Sequence, residues 1–350
     1  MFLKEKILGC LIGGAIGDSF GYPVECLESK EIKEQFGAKG LTYFIADNDS
    51  GKFLISDDTQ MTMFTLEALI LNQKKDVLIN DIYKSYRRWF DTQFGPGAID
   101  TETASEGFLH QDERLFAMRM PGHACIDSMR KGIMGTPDKP ISLSKGNGCV
   151  MRAAPFGFLQ DESPEYVYSL SYNAAALTHG DEEAQQCAAA FSTLIYFLIR
   201  TKFIADAIIM NDDLLLKIGK RGVLAKKVID RGLDAVLRGK CSRQFWKKLG
   251  EGWIAPEALS IAIYFLVSTQ YHDTKSRLCS IINRTGDSDT IASIFGNLWG
   301  AFWGIHAFKD MEYQNIECID LMSKLVDKFF RAHPSLQNKN YPKPSQSSLF

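Results

Sequence analysis

The chain has 350 residues, with 40 lysines and arginines against 42 aspartates and glutamates, and a formal net charge of -2. This near balance argues against a protein that coats nucleic acid or binds anionic lipid, so we expect neither partner. Hydrophobic residues make up 45% of the sequence, which is enough for a large core and excludes an intrinsically disordered chain.

The sequence carries no indication of export or membrane insertion. Its first residues, MFLKEK, lack the charged, apolar and small-residue regions of a signal peptide. The longest apolar run, residues 188–199, is about 12 residues long, whereas a membrane span needs about 20. The eight cysteines are scattered, without a CxxC pair or zinc-type spacing. We therefore expect a cytoplasmic protein with no membrane partner.

Apolar residues recur at spacings of three and four along most of the chain, which is the period of helices. This pattern predicts helices over residues 61–71, 165–177, 182–199, 256–267, 290–302 and 314–330. Alternating runs rich in Val, Ile and Thr are nearly absent, so no sheet is predicted. The expected fold is all-α, a compact multi-helix domain over residues 1–332, followed by a flexible tail over residues 333–350.

One segment is strongly basic. Residues 217–248 contain eleven lysines and arginines but only two acids, Asp230 and Asp234. A solvated helix face with a loop explains such a composition. The alternative is a docking surface for an acidic partner or an anionic substrate.

Two acidic clusters stand where helices are predicted to begin. Residues 56–59 read Ser-Asp-Asp-Thr, and residues 286–290 read Gly-Asp-Ser-Asp-Thr. A helix N-cap explains one aspartate of the first cluster but not both. Four carboxylates brought together repel one another unless a cation lies among them, and hard oxygen ligands suit Mg²⁺, Mn²⁺ or Ca²⁺. The clusters therefore predict a site for two metal ions, with two unrelated capped helices as the alternative.

Two other features are compatible with ligand binding. The Gly-Asn-Gly turn at residues 146–148 offers backbone N–H groups of the kind that bind a diphosphate, although most such turns are only turns. His179 follows the helix predicted at 165–177, where a single histidine is most often structural. No Ser-His-Asp or Cys-His grouping is indicated, so nucleophilic catalysis has no support.

Six stretches together resemble the ADP-ribosylglycohydrolase family, which includes the enzymes that reactivate dinitrogenase reductase. They are residues 9–25 (GCLIGGAIGDSFGYPVE), 56–62 (SDDTQMT), 146–157 (GNGCVMRAAPFG), 176–184 (ALTHGDEEA), 250–265 (GEGWIAPEALSIAIYF) and 283–301 (NRTGDSDTIASIFGNLWGA). They occur in the family's order and cover nearly the whole chain. The resemblance implies an all-α fold with two Mg²⁺ or Mn²⁺ ions in a cleft.

The resemblance also implies roles for individual residues. The implied metal ligands are Ser56, Asp57, Asp58, Asp287, Asp289 and Thr290. The implied ADP-ribose contacts are Gly146, Asn147 and Gly148 in the diphosphate loop, His179, and Trp253, whose ring would stack on adenine. Glu25 matches an acid that lies near the metals and the substrate in some members.

Asp100 is the implied general acid or base. Members that act on ADP-ribosylated arginine often carry an Asp-Ile-Gly-Asn-Thr segment, and the corresponding residues 99–103 here read Ile-Asp-Thr-Glu-Thr. The acid is kept as Asp100, with Glu25 as the second candidate for proton transfer. Because Gly-Asn has become Glu-Thr, the segment departs from the pattern of the arginine-specific members, and the linkage is left open.

The function implied by the resemblance is metal-dependent hydrolysis of the bond between ADP-ribose and a protein side chain, arginine first. The partners would be ADP-ribosylated protein and ADP-ribose. The alternatives are a hydrolase of serine-linked or small-molecule ADP-ribose, and a non-catalytic reader of ADP-ribosylated proteins. The intact metal motifs argue against the reader, whereas the residues around Asp100 leave the linkage open.

Overall fold

The structure, a computed structural model, describes residues 1–75, 78–238, 247–269 and 273–345. Across these ranges it contains α-helices, short 3-10 turns and isolated β-bridges but no strand, which confirms the all-α prediction. The helices are α1 Leu3–Gly21, α2 Ser29–Phe36, α3 Asp57–Leu71, α4 Leu78–Phe94, α5 Thr101–Ser105, α6 His123–Arg130, α7 Pro164–Ala176, α8 Glu182–Arg200, α9 Ile204–Ile218, α10 Val223–Arg238, α11 Ala255–Val267, α12 Thr274–Ile282, α13 Ser288–Trp303 and α14 Ile319–Ala332.

The six helices predicted from the apolar pattern correspond to α3, α7, α8, α11, α13 and α14. The last one begins later than predicted, at Ile319 rather than at residue 314. A 3-10 turn occupies Tyr313–Asn315, and Cys318 adopts a left-handed φ of 59°, so the chain enters α14 through a sharp turn. The pattern did not assign α4, α9 or α10.

Helices α1 and α13 form the central pair of the fold. Gly9, Gly13, Gly17 and Gly21 are spaced four residues apart and therefore share one face of α1. A Cβ at any of the four would clash with the backbone of α13 or of Gly304 just beyond it. This glycine face lets the two backbones touch, and it brings the end of α1 against the start of α13, where the second acidic cluster lies.

Helix α1 is also both long and apolar. With the turn after it, the segment Leu3–Val24 is long and apolar enough to cross a membrane, but 83% of its most apolar window is buried inside the protein. Core helices of globular proteins share these properties. The absence of a membrane partner stays a prediction.

The predicted tail and the predicted basic segment each lie partly within the described residues. Leu336 of the tail is buried, and the N–H of Tyr341 donates to the carbonyl of Met1 at 3.0 Å, so this part packs against the amino terminus. Residues 346–350 lie outside the described ranges, and the flexibility of the tail stays a prediction. In the basic segment, Lys226 pairs with Asp212 and Asp230 on the surface, while residues 239–246 lie outside the described ranges.

Candidate active site

Most of the residues singled out from the sequence line one cleft, with a volume of about 740 Å³. Its walls include Glu25, Asp57, Gly146, Asn147, Gly148, His179, Trp253, Asp287, Asp289 and Thr290. The acids that line the cleft, Glu25, Asp57, Asp287 and Asp289, form its acidic wall. Of the other predicted site residues, Ser56 and Asp58 are buried beside this wall. Asp100 is exposed and is not among the residues that line the cleft. The fold therefore gathers residues from both ends of the chain around a single cavity.

The first acidic cluster forms the start of α3. Ser56 is the N-cap residue, and its Oγ accepts the backbone N–H of Asp58 at 3.3 Å. The cap thus belongs to the serine, which leaves both aspartates of the cluster available for another role. Oδ2 of Asp57 accepts the N–H of Gly122 at 3.0 Å, which ties the start of α3 to the loop before α6.

The second acidic cluster forms the start of α13. Asp287 is its N-cap residue, with Oδ1 accepting the N–H of Thr290 at 3.3 Å. The Thr290 hydroxyl donates to Oδ1 of Asp58 at 3.1 Å, so the two clusters are in direct contact. This contact joins residues 232 positions apart and removes the alternative of two unrelated capped helices.

Asp18 also lies beside the acidic wall, and the sequence analysis missed it. Its buried carboxylate accepts the N–H of Ser56 at 3.0 Å and the N–H and hydroxyl of Thr59. Asp18 therefore fixes the first turn of α3 from the end of α1. The one signal in the sequence is an acid inside an otherwise apolar, glycine-rich helix, where a charge has no structural reason to lie.

Carboxylate oxygens converge here in two groups that fit divalent cations. Asp18, Asp58 and Asp289 form one group and Glu25, Asp287 and Asp289 the other, each with its oxygen atoms within 4.8 Å of one another. Asp289 belongs to both groups, as a ligand shared by two neighbouring cations would. Oδ2 of Asp58 and Oε2 of Glu25 are buried without a hydrogen-bond partner, which is costly unless a cation binds them.

The electrostatics of the cluster agree with a cation site. Burial, followed by repulsion from neighbouring carboxylates, raises the pKa of Asp58 and of Asp289 well above the usual aspartate range. Burial raises the pKa of Glu25 as well, with further contributions from Asp287 and Asp18. A divalent cation would offset this repulsion and return the carboxylates to their charged form.

The predicted diphosphate loop is joined to the second acidic cluster. Nδ2 of Asn147 donates to Oδ2 of Asp287 and to the carbonyl of Gly252, both at 2.7 Å. The N–H of Asn147 donates to the carbonyl of Trp253 at 3.3 Å, next to a β-bridge between Gly146 and residue 254. The loop, the aromatic residue and one candidate metal ligand therefore form one hydrogen-bonded unit.

His179 and Trp253 both face the cleft but differ in environment. His179 is buried, and its ring lies against the glycine loop, where a Cβ on Gly148 would come within 3.3 Å of the ring and one on Gly146 within 3.4 Å. The indole of Trp253 is 40% exposed, as a platform for a planar ligand would be.

The two acids predicted for proton transfer occupy different places. Glu25 lines the cleft and is followed by Cys26, which holds a left-handed φ of 66°, an uncommon conformation for a non-glycine residue. Asp100 is exposed and acts as the N-cap of the short helix α5, accepting the N–H of Thr103 at 2.8 Å. That cap explains the acid at position 100 without a catalytic role.

The sequence model of the ADP-ribosylglycohydrolase family matches residues 1–338, nearly the whole chain. The chain belongs to this family. The resemblance found in the sequence is thereby confirmed, and membership places the protein in the glycohydrolase class of hydrolases.

Characterised relatives in the family are distant. An ADP-ribosyl-[dinitrogen reductase] glycohydrolase from Rhodospirillum rubrum is 22% identical over 87% of this chain and 87% of that protein. The ADP-ribosylarginine hydrolase Tri1 from Pseudomonas putida is 20% identical over 95% of this chain and 80% of that protein. Among solved structures, an ADP-ribosylglycohydrolase-related protein aligns with a TM-score of 0.59 and 20% identity, over 94% of this chain and 98% of the other, which shows that the fold is shared.

Proposed function

We propose that the protein hydrolyses the bond between ADP-ribose and a modified protein side chain, with ADP-ribosyl-arginine as the preferred substrate. The observation that carries this proposal is the double carboxylate group that borders a cleft containing a glycine loop and an exposed indole. The names of the two characterised relatives support the substrate class, and one of them names arginine. A cytoplasmic site of action is part of the proposal, since the seven cysteines within the described ranges are all free.

Two divalent cations, Mg²⁺ or Mn²⁺, are the proposed cofactors. Asp18, Asp58 and Asp289 would hold one, and Glu25, Asp287 and Asp289 the other, with Asp57 and Thr290 beside them. When bound, divalent cations would supply positive charge that orients the ribose hydroxyls and lowers the pKa of the attacking water. The second acidic cluster would also be held in place by Asn147.

The ADP-ribose moiety would lie along the rest of the cleft. Residues 146–148 present backbone groups next to His179, which suits a diphosphate, and the half-exposed indole of Trp253 suits adenine. Held in this way, the ligand would direct its distal ribose toward the carboxylate groups, and positioning of this kind accounts for much of the rate of such enzymes.

Proton transfer is assigned to Glu25. Its carboxyl group lines the cleft, has one buried oxygen without a partner and lies beside the candidate metal ligands. Because one of its oxygens would bind the cation, the group would be charged, and its other oxygen would take a proton from the attacking water. Asp100 remains the alternative implied by the family pattern, although its exposed position as the cap of α5 supports it less.

The decisive experiment measures release of free ADP-ribose from arginine-ADP-ribosylated protein with Mg²⁺, with Mn²⁺ and with EDTA, beside a serine-linked substrate. Metal-dependent release from arginine alone is the expected result. Release from serine alone would keep the hydrolase and the cations but change the linkage. If the protein binds ADP-ribose but releases it from neither substrate, the hydrolase proposal is wrong and a non-catalytic reader of ADP-ribosylated proteins takes its place.

A further inference from the structure

Arg152 is a buried cation next to the ligand cleft. Its side chain is 1% exposed, and within the described residues none of its hydrogen bonds or ion pairs involves a carboxylate. Instead the guanidinium stacks on the ring of Tyr86 at 4.3 Å, and Nη1 donates to the sulfur of Cys125 at 3.3 Å. Nη2 donates to the hydroxyl oxygen of Thr178 at 2.6 Å. A buried charge held only by neutral partners is expensive, so its position calls for an explanation beyond packing.

The hydroxyl of Thr178 links this cation to His179. Its oxygen accepts from Arg152, and the same oxygen lies 2.7 Å from Nδ1 of His179. Since arginine is always a donor, the single Thr178 proton is free to point at Nδ1. The opposite arrangement would protonate Nδ1 and send the Thr178 proton to the sulfur of Cys125, which is a much weaker acceptor than an imidazole nitrogen.

The other ring nitrogen of His179, Nε2, faces the cleft. It lies 3.4 Å from the position that a Cβ on either Gly146 or Gly148 would occupy. It makes no hydrogen bond within the described residues. It is also not sealed inside the protein, because His179 lines the cleft. Nε2 therefore remains available to a ligand that contacts the glycine loop.

We propose that Arg152 and Thr178 are positioning residues that hold His179 as the neutral tautomer protonated at Nε2, so that it donates a hydrogen bond to the diphosphate of ADP-ribose. The chain of donors runs from the guanidinium through the hydroxyl to Nδ1, and each bond polarises the next. The result is a donor directed at an anionic ligand, whereas the other tautomer would direct a lone pair at it. The ligand part of this inference rests on the proposed function.

The titration of His179 is consistent with a neutral ring. Burial, together with the positive charge of Arg152, lowers the pKa of His179 to about 3. The ring therefore stays uncharged at the pH of the cell, and the tautomer alone decides whether the cleft meets a donor or an acceptor.

The first test reads the tautomer directly in the free protein. The chain has six histidines, so ¹⁵N-histidine labelling gives a simple NMR spectrum in which His179 is assigned by the signal lost in His179→Gln. A proton on Nε2 and an unprotonated Nδ1 are the expected result. A proton on Nδ1 would overturn the inference without touching the proposed function, because neither ligand nor turnover is involved.

The second test breaks the relay at its middle. Thr178→Val keeps the shape of the side chain but removes the hydroxyl, and Thr178→Ser is the matched control that restores it. In the valine variant we expect the Nε2 tautomer to lose its dominance and the Kd of ADP-ribose to rise about tenfold, the value of one hydrogen bond to an anion. The serine variant should keep both wild-type values.

Other outcomes distinguish a failure of the Arg152–Thr178–His179 relay from a failure of the proposed function. If Thr178→Val binds ADP-ribose as tightly as wild type with an unchanged tautomer, the relay is overturned. If wild type carries the Nε2 proton but binds no ADP-ribose, the proposed function fails and the ligand part of the inference fails with it. Arg152→Lys supplies an independent check, because a lysine that reaches Thr178 should preserve the tautomer, whereas Arg152→Met should not.

Discussion

Oδ2 of Asp287 accepts a hydrogen bond of 2.7 Å from the side-chain amide of Asn147, although the two residues are 140 positions apart in the chain. The same amide nitrogen donates to the carbonyl of Gly252 at 2.7 Å. A residue of the glycine loop therefore orients a candidate metal ligand, so the ligand-binding and cation-binding parts of the cleft share one support.

Replacing Asn147 by Ala should weaken divalent cation binding even in the absence of any substrate. Asp287 would lose the donor that fixes its carboxylate, and loss of such an outer contact typically lowers metal affinity by about 10–100-fold. Isothermal titration with Mn²⁺ measures the effect. The control is Asn173→Ala, because in the described part of the chain the amide of Asn173 bonds only within its own helix, to Ser169. Equal Mn²⁺ affinity in both variants would contradict the role of Asn147.

Asp289→Asn should make the metal-free protein more stable while removing its response to metal. Asp289 belongs to both carboxylate groups, and burial followed by repulsion from neighbouring carboxylates raises its pKa, so a neutral amide removes the cost of burying this charge among like charges. Thermal unfolding with EDTA should give a higher Tm for Asp289→Asn than for wild type. Adding Mg²⁺ or Mn²⁺ should raise the Tm of wild type but not that of Asp289→Asn. The exposed Asp310→Asn is the control, and it should follow wild type in both conditions.

The pair Glu25→Gln and Asp100→Asn decides between the two candidate acids. Glu25 lines the cleft beside the candidate metal ligands, so its loss should lower kcat by about 100-fold or more while ADP-ribose still binds. Asp100 is exposed and caps α5 through Thr103, so Asp100→Asn should leave kcat nearly unchanged and should keep the helix cap, because asparagine caps a helix about as well as aspartate does. A large kcat loss in Asp100→Asn instead would restore the role implied by the family pattern.

Both acidic clusters were found from the sequence because each opens an apolar helix with more charge than a cap requires. Their contact, through Thr290 and Asp58, was not visible there, since it depends on how α3 and α13 pack. Asp18 was not predicted as a site residue for a related reason. Its role becomes apparent only when the glycine face of α1, with Gly21 at its end, is seen against the start of α13.

Asp100 illustrates the opposite difficulty. A catalytic role was expected for Asp100 because the segment is similar to a family pattern. Sequence similarity over a few residues does not determine whether their side chains reach the cleft. In the structure Glu102 and Thr103 belong to the first turn of a short helix that Asp100 caps. The Gly-Asn pair of the pattern allows backbone conformations that Glu-Thr does not favour, so a departure in those two letters affects local structure as well as chemistry.

The buried ion pair between Glu67 and Arg88 should dominate the stability of the α3–α4 contact. Their side chains are 0% and 1% exposed, and Nη2 of Arg88 lies 2.8 Å from Oε2 of Glu67. Glu67→Gln leaves the buried guanidinium with only the more distant and partly exposed Glu106, 3.9 Å from Nη1, as a counter-charge, which should cost up to about 3–5 kcal/mol in urea unfolding. The control is Glu34→Gln, whose pair with Lys30 is exposed and should be worth about 0.5 kcal/mol or less. Similar losses in both variants would contradict this account.

Lys6 gives the protein a pH dependence of stability that is independent of the cleft. Its side chain is buried in the core, where Nζ donates to the carbonyl of Leu198 at 3.3 Å, and burial lowers the pKa of Lys6 from 10.5 to about 7. Between these two values the unfolded chain keeps the Lys6 proton while the folded chain has released it. Because the unfolded state then binds more protons, the free energy of unfolding should rise with pH above about 7, by up to about 1.4 kcal/mol per pH unit.

Lys6→Met isolates this contribution. Relative to wild type, the variant should be most stabilised at pH 7 and below, and its advantage should shrink steadily as the pH rises toward 10.5, above which the wild-type side chain is neutral in both states. Urea unfolding of both proteins at pH 7, 8 and 9 measures the difference in their free energies of unfolding. The titration of all other groups is common to both proteins and cancels in this difference. Lys4→Met, at an exposed position that pairs with Asp327, is the control and should show a constant difference from wild type. An advantage of Lys6→Met that does not change over this pH range would mean that Lys6 remains charged in the folded protein.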